Sequence, residues 1–328
     1  MKKVGFIYDD IFLKHEMPEG HPESKERLIS IITTLKNSGI WDKLIHIKPA
    51  KTEFKDIEAV HTHEYVEKIK KMKPGYADPD TYISENSLDA ALYAAGAVIE
   101  AIGRCKTGEI ERAFCAVRPP GHHAEANRAM GFCIFNNIAV GARYAQKIGY
   151  KKIFIVDFDV HHGNGTQHIF EDDDTVFYFS THQYPHYPGT GGESEKGKGK
   201  GSGFTFNMPM PHGAGDKEYF SAYNEALPLF VKKFSPDIML VSAGYDIHLS
   251  DPLAGIRVSD EGVRNIVKGI LSSAKQSAVS PASGGSAEAD NQHSAKNSEL
   301  PVIFSLEGGY NLKALGESVL ITVKELLS

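Results

Sequence analysis

The sequence predicts a single α/β domain with a parallel sheet over residues 1–328, and three observations carry that reading. At least seven short apolar segments alternate with helical ones, the pattern of βα units. No linker divides the chain and no internal repeat is visible. Ionisable side chains gather just where apolar segments stop, and open parallel sheets bind ligands beyond the carboxyl ends of their strands.

Val4 to Tyr8 reads as the first strand, and the two lysines before it, followed by so short an apolar run, do not make a signal peptide. Residues 11 to 22 form a loop holding His15 and His21. From Pro22 a helix carries Leu28, Ile31, Ile32 and Leu35 at helical spacing and stops at Gly39. Residues 54 to 72 again read as helix. His61 and His63 there form a His-x-His pair, but positions i and i+2 do not share a helix face, which favours a cap or turn role over chelation. A Pro/Gly-marked loop over 73 to 85 leads to a helix from Ser87 to Cys105, whose Ala and Gly content suits close packing. Phe114 to Val117 is a buried strand ending in RPPGHHAE, where Pro119, Pro120 and Gly121 hold a turn that fixes His122 and His123. A loop and an amphipathic helix fill 131 to 149.

The central stretch is KKIFIVDFDVHHGNGTQ, 151 to 167. Ile153 to Val156 reads as a strand buried on both faces. Asp157, Asp159 and His161 then follow at i, i+2 and i+4, on one face of an extended segment. Two such carboxylates without a cation would repel and shift one another's pKa, so a metal is the simpler account. Thr175 to Phe179 is another strand, leading to Ser180 and Thr181. The Gly-rich, charged stretch 183 to 203 begins as an active-site loop. Phe204 to Met208 is a short strand, 216 to 234 a helix, and Asp237 to Ser242 a strand with Asp246 just past its end. Ser259 caps the next helix. The low-complexity segment 276–299 reads as a mobile surface insertion. Val302 to Leu306 is the last strand; EGGYN places Tyr310 on a Gly-enabled turn, and a helix over 311 to 327 closes the domain.

A net charge of −6 gives no support for direct nucleic-acid binding. Cys105, Cys115 and Cys133 lack metal spacing, are odd in number and read as reduced thiols of a cytoplasmic protein. No stretch of about 18 apolar residues suggests a membrane span.

In a parallel sheet the strand-end groups His122/His123, Asp157/Asp159/His161, Asp246 and Tyr310 can meet on one side. Asp159, His161 and Asp246 would supply a three-ligand site with an open position, suited to Zn²⁺ and also to Fe²⁺, Co²⁺ or Mn²⁺. His122 and His123 are both candidates for the general base. Tyr310 can stabilise an oxyanion, with Asp157 and Asn164 orienting the two histidines.

RPPGHHA, DFDVHHGNGT, SAGYDIHLSDPLAG and EGGYNL resemble the histone deacetylase superfamily, with HPESKERL and VHTHEYV in the expected places. HHAE with GFCIFNNIAV is similar to class II and bacterial histone deacetylase-like amidohydrolases and acetylpolyamine amidohydrolases. The likeness spans nearly the whole chain except 276–299. It implies the arginase/deacetylase fold, a single domain with an eight-stranded parallel sheet flanked by helices. It implies zinc on Asp159, His161 and Asp246, His123 as general base and acid, His122 with Asp157 as its electrostatic partner, and Tyr310 polarising the carbonyl. Gly131, Phe132 and Tyr187 fall on an acyl-lysine tunnel, Tyr187 standing where Phe is more usual, and Asp80 on its rim. A structural K⁺ near Asp157, Asp159, His161, Ser180 and Thr181 is a further implication.

The resemblance thus implies a zinc-dependent deacylase of acyl-lysine proteins or peptides, and an oligomer is compatible with it. Deacetylation of acylated small amines such as polyamines is the first rival; Leu253, where relatives can place an acidic gatekeeper, weakens it. A two-metal ureohydrolase would want further bridging aspartates, and a non-enzymatic acyl-group reader would have no use for the base and tyrosine.

Overall fold

In the computed structural model, which describes residues 2–277 and 299–328, every strand pairing of the main sheet is parallel. In chain order the elements are β1 (Val4–Ile7), α1 (Glu26–Asn37), β2 (Ile45–Ile47), α2 (Phe54–Ile57), α3 (His63–Lys71), β3 (Gly75–Tyr76), β4 (Tyr82–Ile83), α4 (Ser87–Lys106), β5 (Arg112–Cys115) and α5 (Asn137–Lys147). Then come β6 (Ile153–Asp157), α6 (Asn164–Phe170), β7 (Val176–Gln183), β8 (Thr205–Met210), α7 (Asp216–Phe220), α8 (Leu227–Phe234), β9 (Ile238–Ala243), α9 (Asp260–Ser277), β10 (Val302–Leu306) and α10 (Leu312–Leu326). The sheet has eight strands in the order β2-β1-β5-β10-β9-β6-β7-β8, and β3 and β4 form a separate antiparallel pair. The last strand therefore lies in the middle, and the strands that carry the polar motifs, β5, β10, β9 and β6, are contiguous.

These four strands are buried along their whole length, as short β-branched and aromatic runs should be in a two-sided sheet. Helices flank them: α1 packs on α10, α10 on α9 and α9 on α8, while α4 packs on α5. The small residues of α4 allow close packing, with Ala90, Ala94, Ala97 and Ala101 fully buried and Gly141 of α5 set against Val98 and Ile102.

Several sequence expectations shift. β2 lacks an apolar run: three residues, Ile-His-Ile, suffice because it is an edge strand paired to β1 alone. The helix expected from Pro22 begins at Glu26, and the helix expected over 54 to 72 is two helices parted by a turn at His61. Within the 73 to 85 loop lies the β3–β4 hairpin. β7 runs on to Gln183 because its pairing with β8 continues to Met210, so Ser180, Thr181 and His182 belong to the strand. The helical stretch 216 to 234 is wound as a π-helix over Ser221–Ala226. Positions 278–298 of the expected insertion lie outside the described residues, whereas Glu299, counted with it, accepts from Arg112 Nη2 at 3.0 Å and pairs with Lys2 at 3.1 Å. Among the described residues no helix is long and apolar enough to cross a membrane.

Candidate active site

The loops that leave β5, β6, β9 and β10 bring together the side chains singled out by the sequence. Asp159 and His161 follow β6, and Asp246 follows β9; each offers one ligand atom, all within 4.8 Å of one another. Main-chain N–H groups hold both carboxylates: Asp159 Oδ2 accepts from Gly308 (2.8 Å) and its Oδ1 from His161 (2.9 Å), and Asp246 Oδ1 accepts from Val160 (2.9 Å). Asp159 Oδ1 and Asp246 Oδ2 stand 3.0 Å and 3.3 Å from His161 Nδ1. Gly308 must be glycine, because a Cβ there would run into both carboxylates. Burial opposes a charge on His161, yet Asp159 and Asp246 outweigh it and push the imidazole up to about 10. The trio therefore demands a positive charge at its centre. Among the described residues the buried Asp246 Oδ2 has no hydrogen-bond partner, and this oxygen/nitrogen set fits a divalent cation.

The two histidines after β5 have different surroundings. His122 Nδ1 lies 3.1 Å from Asp157 Oδ2, which also accepts from the Tyr178 hydroxyl at 3.0 Å. Burial works against charge on His122, but Asp157 and Asp159 hold it up at about 10, so it is an imidazolium. His123 Nδ1 bonds to Asn164 Oδ1 at 2.7 Å. Burial and the charges of His122 and His161 drive His123 well below its ordinary value, so it is neutral near pH 7. The two rings, with centroids 4.0 Å apart, are thus biased in opposite directions, His122 toward the charged form and His123 toward the neutral one.

Both histidines line a cavity of about 160 Å³ together with Gly131, Phe132, His161, Tyr187, Tyr310, Leu253 and Asp80. Phe132 stands edge-on to Tyr310 at 6.1 Å, and Tyr187 edge-on to His123 at 5.2 Å. Phe132 adopts φ +67°, rare for a bulky side chain, and Gly131 adopts φ +58° with its Cα against the His123 ring. Asp80 Oδ1 accepts from Gly131 N–H and Thr81 Oγ1 from Phe132 N–H, both at 3.0 Å. Asp80, expected on a rim, thus holds the backbone of the cavity wall. Tyr310 stays protonated, since burial raises it well above its ordinary value. Ser180 and Thr181 are buried and already engaged, Ser180 Oγ with His182 Nδ1 (2.9 Å) and Thr181 Oγ1 with Tyr223 OH (2.7 Å).

Sequence reasoning missed the residues that hold these from behind. Asp251 Oδ2 accepts from the N–H groups of Tyr310 (2.7 Å) and Asn311 (3.1 Å). Glu307 Oε2 accepts from Gly121 and His122 N–H at 2.6 Å and 3.2 Å. Arg27 lies 5.0 Å over the Tyr310 ring, and His186 stacks on His161 at 5.3 Å. Asp251, Glu307 and Arg27 each sit inside a motif read for its neighbours, which was the available signal. His61 is a buried structural residue: its Nδ1 donates to Glu125 O and its Nε2 accepts from Asn136 N–H, both at 2.9 Å.

A parallel α/β sheet with this cluster over its central strands defines a hydrolase of the arginase/deacetylase fold, and the crystal structure of the HDA15 HD domain matches it with a TM-score of 0.87. That match has 35% identity and covers 99% of this chain and 91% of that one. A histone deacetylase domain model matches residues 21–297. A probable deacetylase of Archaeoglobus fulgidus is 39% identical over 314 residues, 94% of this chain and 82% of that protein. Histone deacetylase 5 of Arabidopsis thaliana is 35% identical over 348 residues, 99% of this chain but 49% of the plant protein. The chain belongs to the histone deacetylase family.

Proposed function

We propose that the chain is a zinc-dependent deacylase of acyl-lysine in proteins or peptides. The observation that carries this is a neutral base, His123, and a protonated donor, Tyr310, lining one aromatic-walled cavity with the metal-ligand residue His161. Asp159, His161 and Asp246 would hold the metal, which when bound acts as a Lewis acid on the carbonyl and lowers the pKa of water. Fe²⁺ or Co²⁺ would suit the same donors. Phe132 and Tyr187 wall the lysine stem, with Gly131 and Leu253 completing the lining. His123 takes a proton from the attacking water as oxygen bonds to the carbonyl carbon, and returns it to the amine nitrogen as the C–N bond breaks, releasing carboxylate and free amine. Tyr310 donates its hydroxyl hydrogen to the carbonyl oxygen as charge builds there. His122, kept cationic by Asp157, stabilises the same charge.

Asp80 is the one carboxylate among the residues that line the cavity, and one of its oxygens is engaged with Gly131, which leaves a poor site for a second cationic amine. That favours acyl-lysine over acylated polyamines. Three buried free thiols suit a reducing compartment such as the cytoplasm. A structural K⁺ beside Asp157, Asp159, His161, Ser180 and Thr181 would draw on main-chain oxygens and on the lone pairs that one hydrogen bond leaves free on each hydroxyl.

The test is release of carboxylate and amine from an acetyl-lysine peptide and from acetylputrescine, with metal-replete and chelated protein. Chelator-sensitive turnover of the peptide is the expected result. Turnover of acetylputrescine alone would move the substrate to small amines, and turnover indifferent to chelation would overturn the metal.

A further inference from the structure

Behind His123 a line of hydrogen bonds runs outward through Asn164, whose Nδ2 also has longer contacts with His123 O (3.4 Å) and Met130 Sδ (3.5 Å). Asn164 Oδ1 faces His123 Nδ1 at 2.7 Å, and Asn164 Nδ2 faces Glu125 Oε1 at 2.6 Å. His168 Nδ1 meets the same Glu125 oxygen at 2.9 Å. Asn164 and His168 lie one turn apart on α6, so one helix face presents both to Glu125. The main chain of Glu125 is pinned as well, its N–H donating to Arg128 O (3.0 Å) and its carbonyl accepting from His61 Nδ1 (2.9 Å). Glu125 is 8% exposed, Asn164 2% and His123 3%, so water does not compete for the two inner bonds, while His168 at the outer end faces solvent.

An amide is a poor orienter of an imidazole when alone. Asn164 presents an oxygen acceptor and an NH₂ donor of the same shape, and a flip exchanges them. A flipped Asn164 would donate to His123 Nδ1 and drive the proton to Nε2, the nitrogen that a base must keep free. A carboxylate does not share this ambiguity, because when ionised it only accepts. Burial works against its charge, but the bonds from His168 and Asn164 outweigh it and hold Glu125 below its ordinary value. The bond to Glu125 correspondingly raises His168.

We propose that Glu125 is the positioning residue that sets the tautomer of His123: it fixes the NH₂ end of Asn164 toward itself, the oxygen toward His123, and so the proton on Nδ1. His168 braces Glu125 from the outer side. The proposal rests on the reading of His123 as general base and adds a carboxylate one amide removed from it.

The experiment pairs steady-state kinetics on the acetyl-lysine peptide with ¹⁵N NMR of histidine-labelled, metal-free protein, the His123 signals being assigned by their loss in His123→Ala. Glu125→Gln keeps the shape but offers either end to Asn164. It is expected to let His123 populate the Nε2–H tautomer and to lower kcat by about 10- to 100-fold with KM little changed. Asn164→Asp added to Glu125→Gln puts a carboxylate directly on Nδ1 and is expected to restore both the single tautomer and kcat. If Glu125→Gln leaves the tautomer unchanged, whether kcat falls or not, Glu125 is a packing residue and the proposal is overturned. It is equally overturned if the double variant regains the tautomer without regaining kcat. Because the NMR needs no turnover, failure of the hydrolase reading would show separately, as absent activity with the tautomer lock intact.

Discussion

Tyr310 is placed by what touches its backbone and ring rather than by its own hydroxyl. Asp251 accepts from its N–H, Arg27 lies over its ring, and Phe132 meets it edge-on. In the proposed reaction a donor so fixed would need no reorganisation as charge builds on the substrate oxygen. Tyr310→Phe is therefore expected to lower kcat by about 10²- to 10³-fold while KM changes little, measured in steady state; an equal loss in KM would assign Tyr310 to binding. Asp246→Asn, in contrast, should abolish turnover through loss of bound metal, read directly by elemental analysis of the dialysed protein. The motifs made the residues of the site legible, because two carboxylates and an imidazole at a strand end have few structural uses. Glu125, Glu307 and Asp251 were not legible in that way. A single acid in a motif shows no periodicity, and its partners come from distant parts of the chain, as Asn164 and His168 do for Glu125 and the Tyr310 N–H for Asp251.

At the scale of elements, the strongly periodic or fully apolar segments were legible, while the joints between them were not. β2 escaped because an edge strand of Ile-His-Ile needs no apolar run, and the α2–α3 break escaped because the pattern continues across it. His61 occupies that break and ties it to Glu125 O and Asn136 N–H. Accepting from Asn136 requires a neutral ring, and burial lowers His61 from 6.5 to about 4. The sign follows: below pH 6.5 the unfolded chain binds a proton that the folded chain refuses until about pH 4. The contribution is therefore complete above pH 6.5 and lost between pH 6.5 and 4, to a total of about 3 kcal/mol. In urea unfolding, the stability gap between wild type and His61→Gln should narrow by about 2 kcal/mol from pH 7 to pH 5, since the variant does not titrate there. A gap independent of pH would mean that His61 packs without its hydrogen bonds being required.

Across the whole molecule the active-site face is fastened by one buried ionic network that spans first and last segments of the fold. Glu23, fully buried, receives Arg118 Nε at 2.5 Å and Nη2 at 2.8 Å, and Arg27 Nη1 at 3.0 Å. Arg118, just beyond β5, also donates to the carbonyls of Phe12 and His15. Arg27, on α1, donates to Gly309 O (2.7 Å) and Glu307 O (2.5 Å) beyond β10. One carboxylate thus holds two arginines that join the N-terminal loop, α1 and two central strand ends, directly beneath Tyr310. The motif HPESKERL contained both Glu23 and Arg27, yet nothing in it indicated that their partner lay on a turn some ninety residues away. Burial opposes the charge of Glu23, but Arg118 and Arg27 overcome it and bring the carboxyl down to about 2. Glu23→Gln leaves two guanidinium groups buried without a counter-charge and should cost about 3–5 kcal/mol in urea unfolding at pH 7. A depressed carboxyl stabilises above its unfolded value and loses that contribution as pH falls toward its folded one. The difference between wild type and Glu23→Gln should therefore close between about pH 4.3 and 2. Because Arg27 also sets the Gly309 and Glu307 carbonyls, the variant should lose kcat even at temperatures where it remains folded. Full kcat in a folded but destabilised variant would show that the network carries stability alone and that Asp251 and Phe132 suffice to place Tyr310.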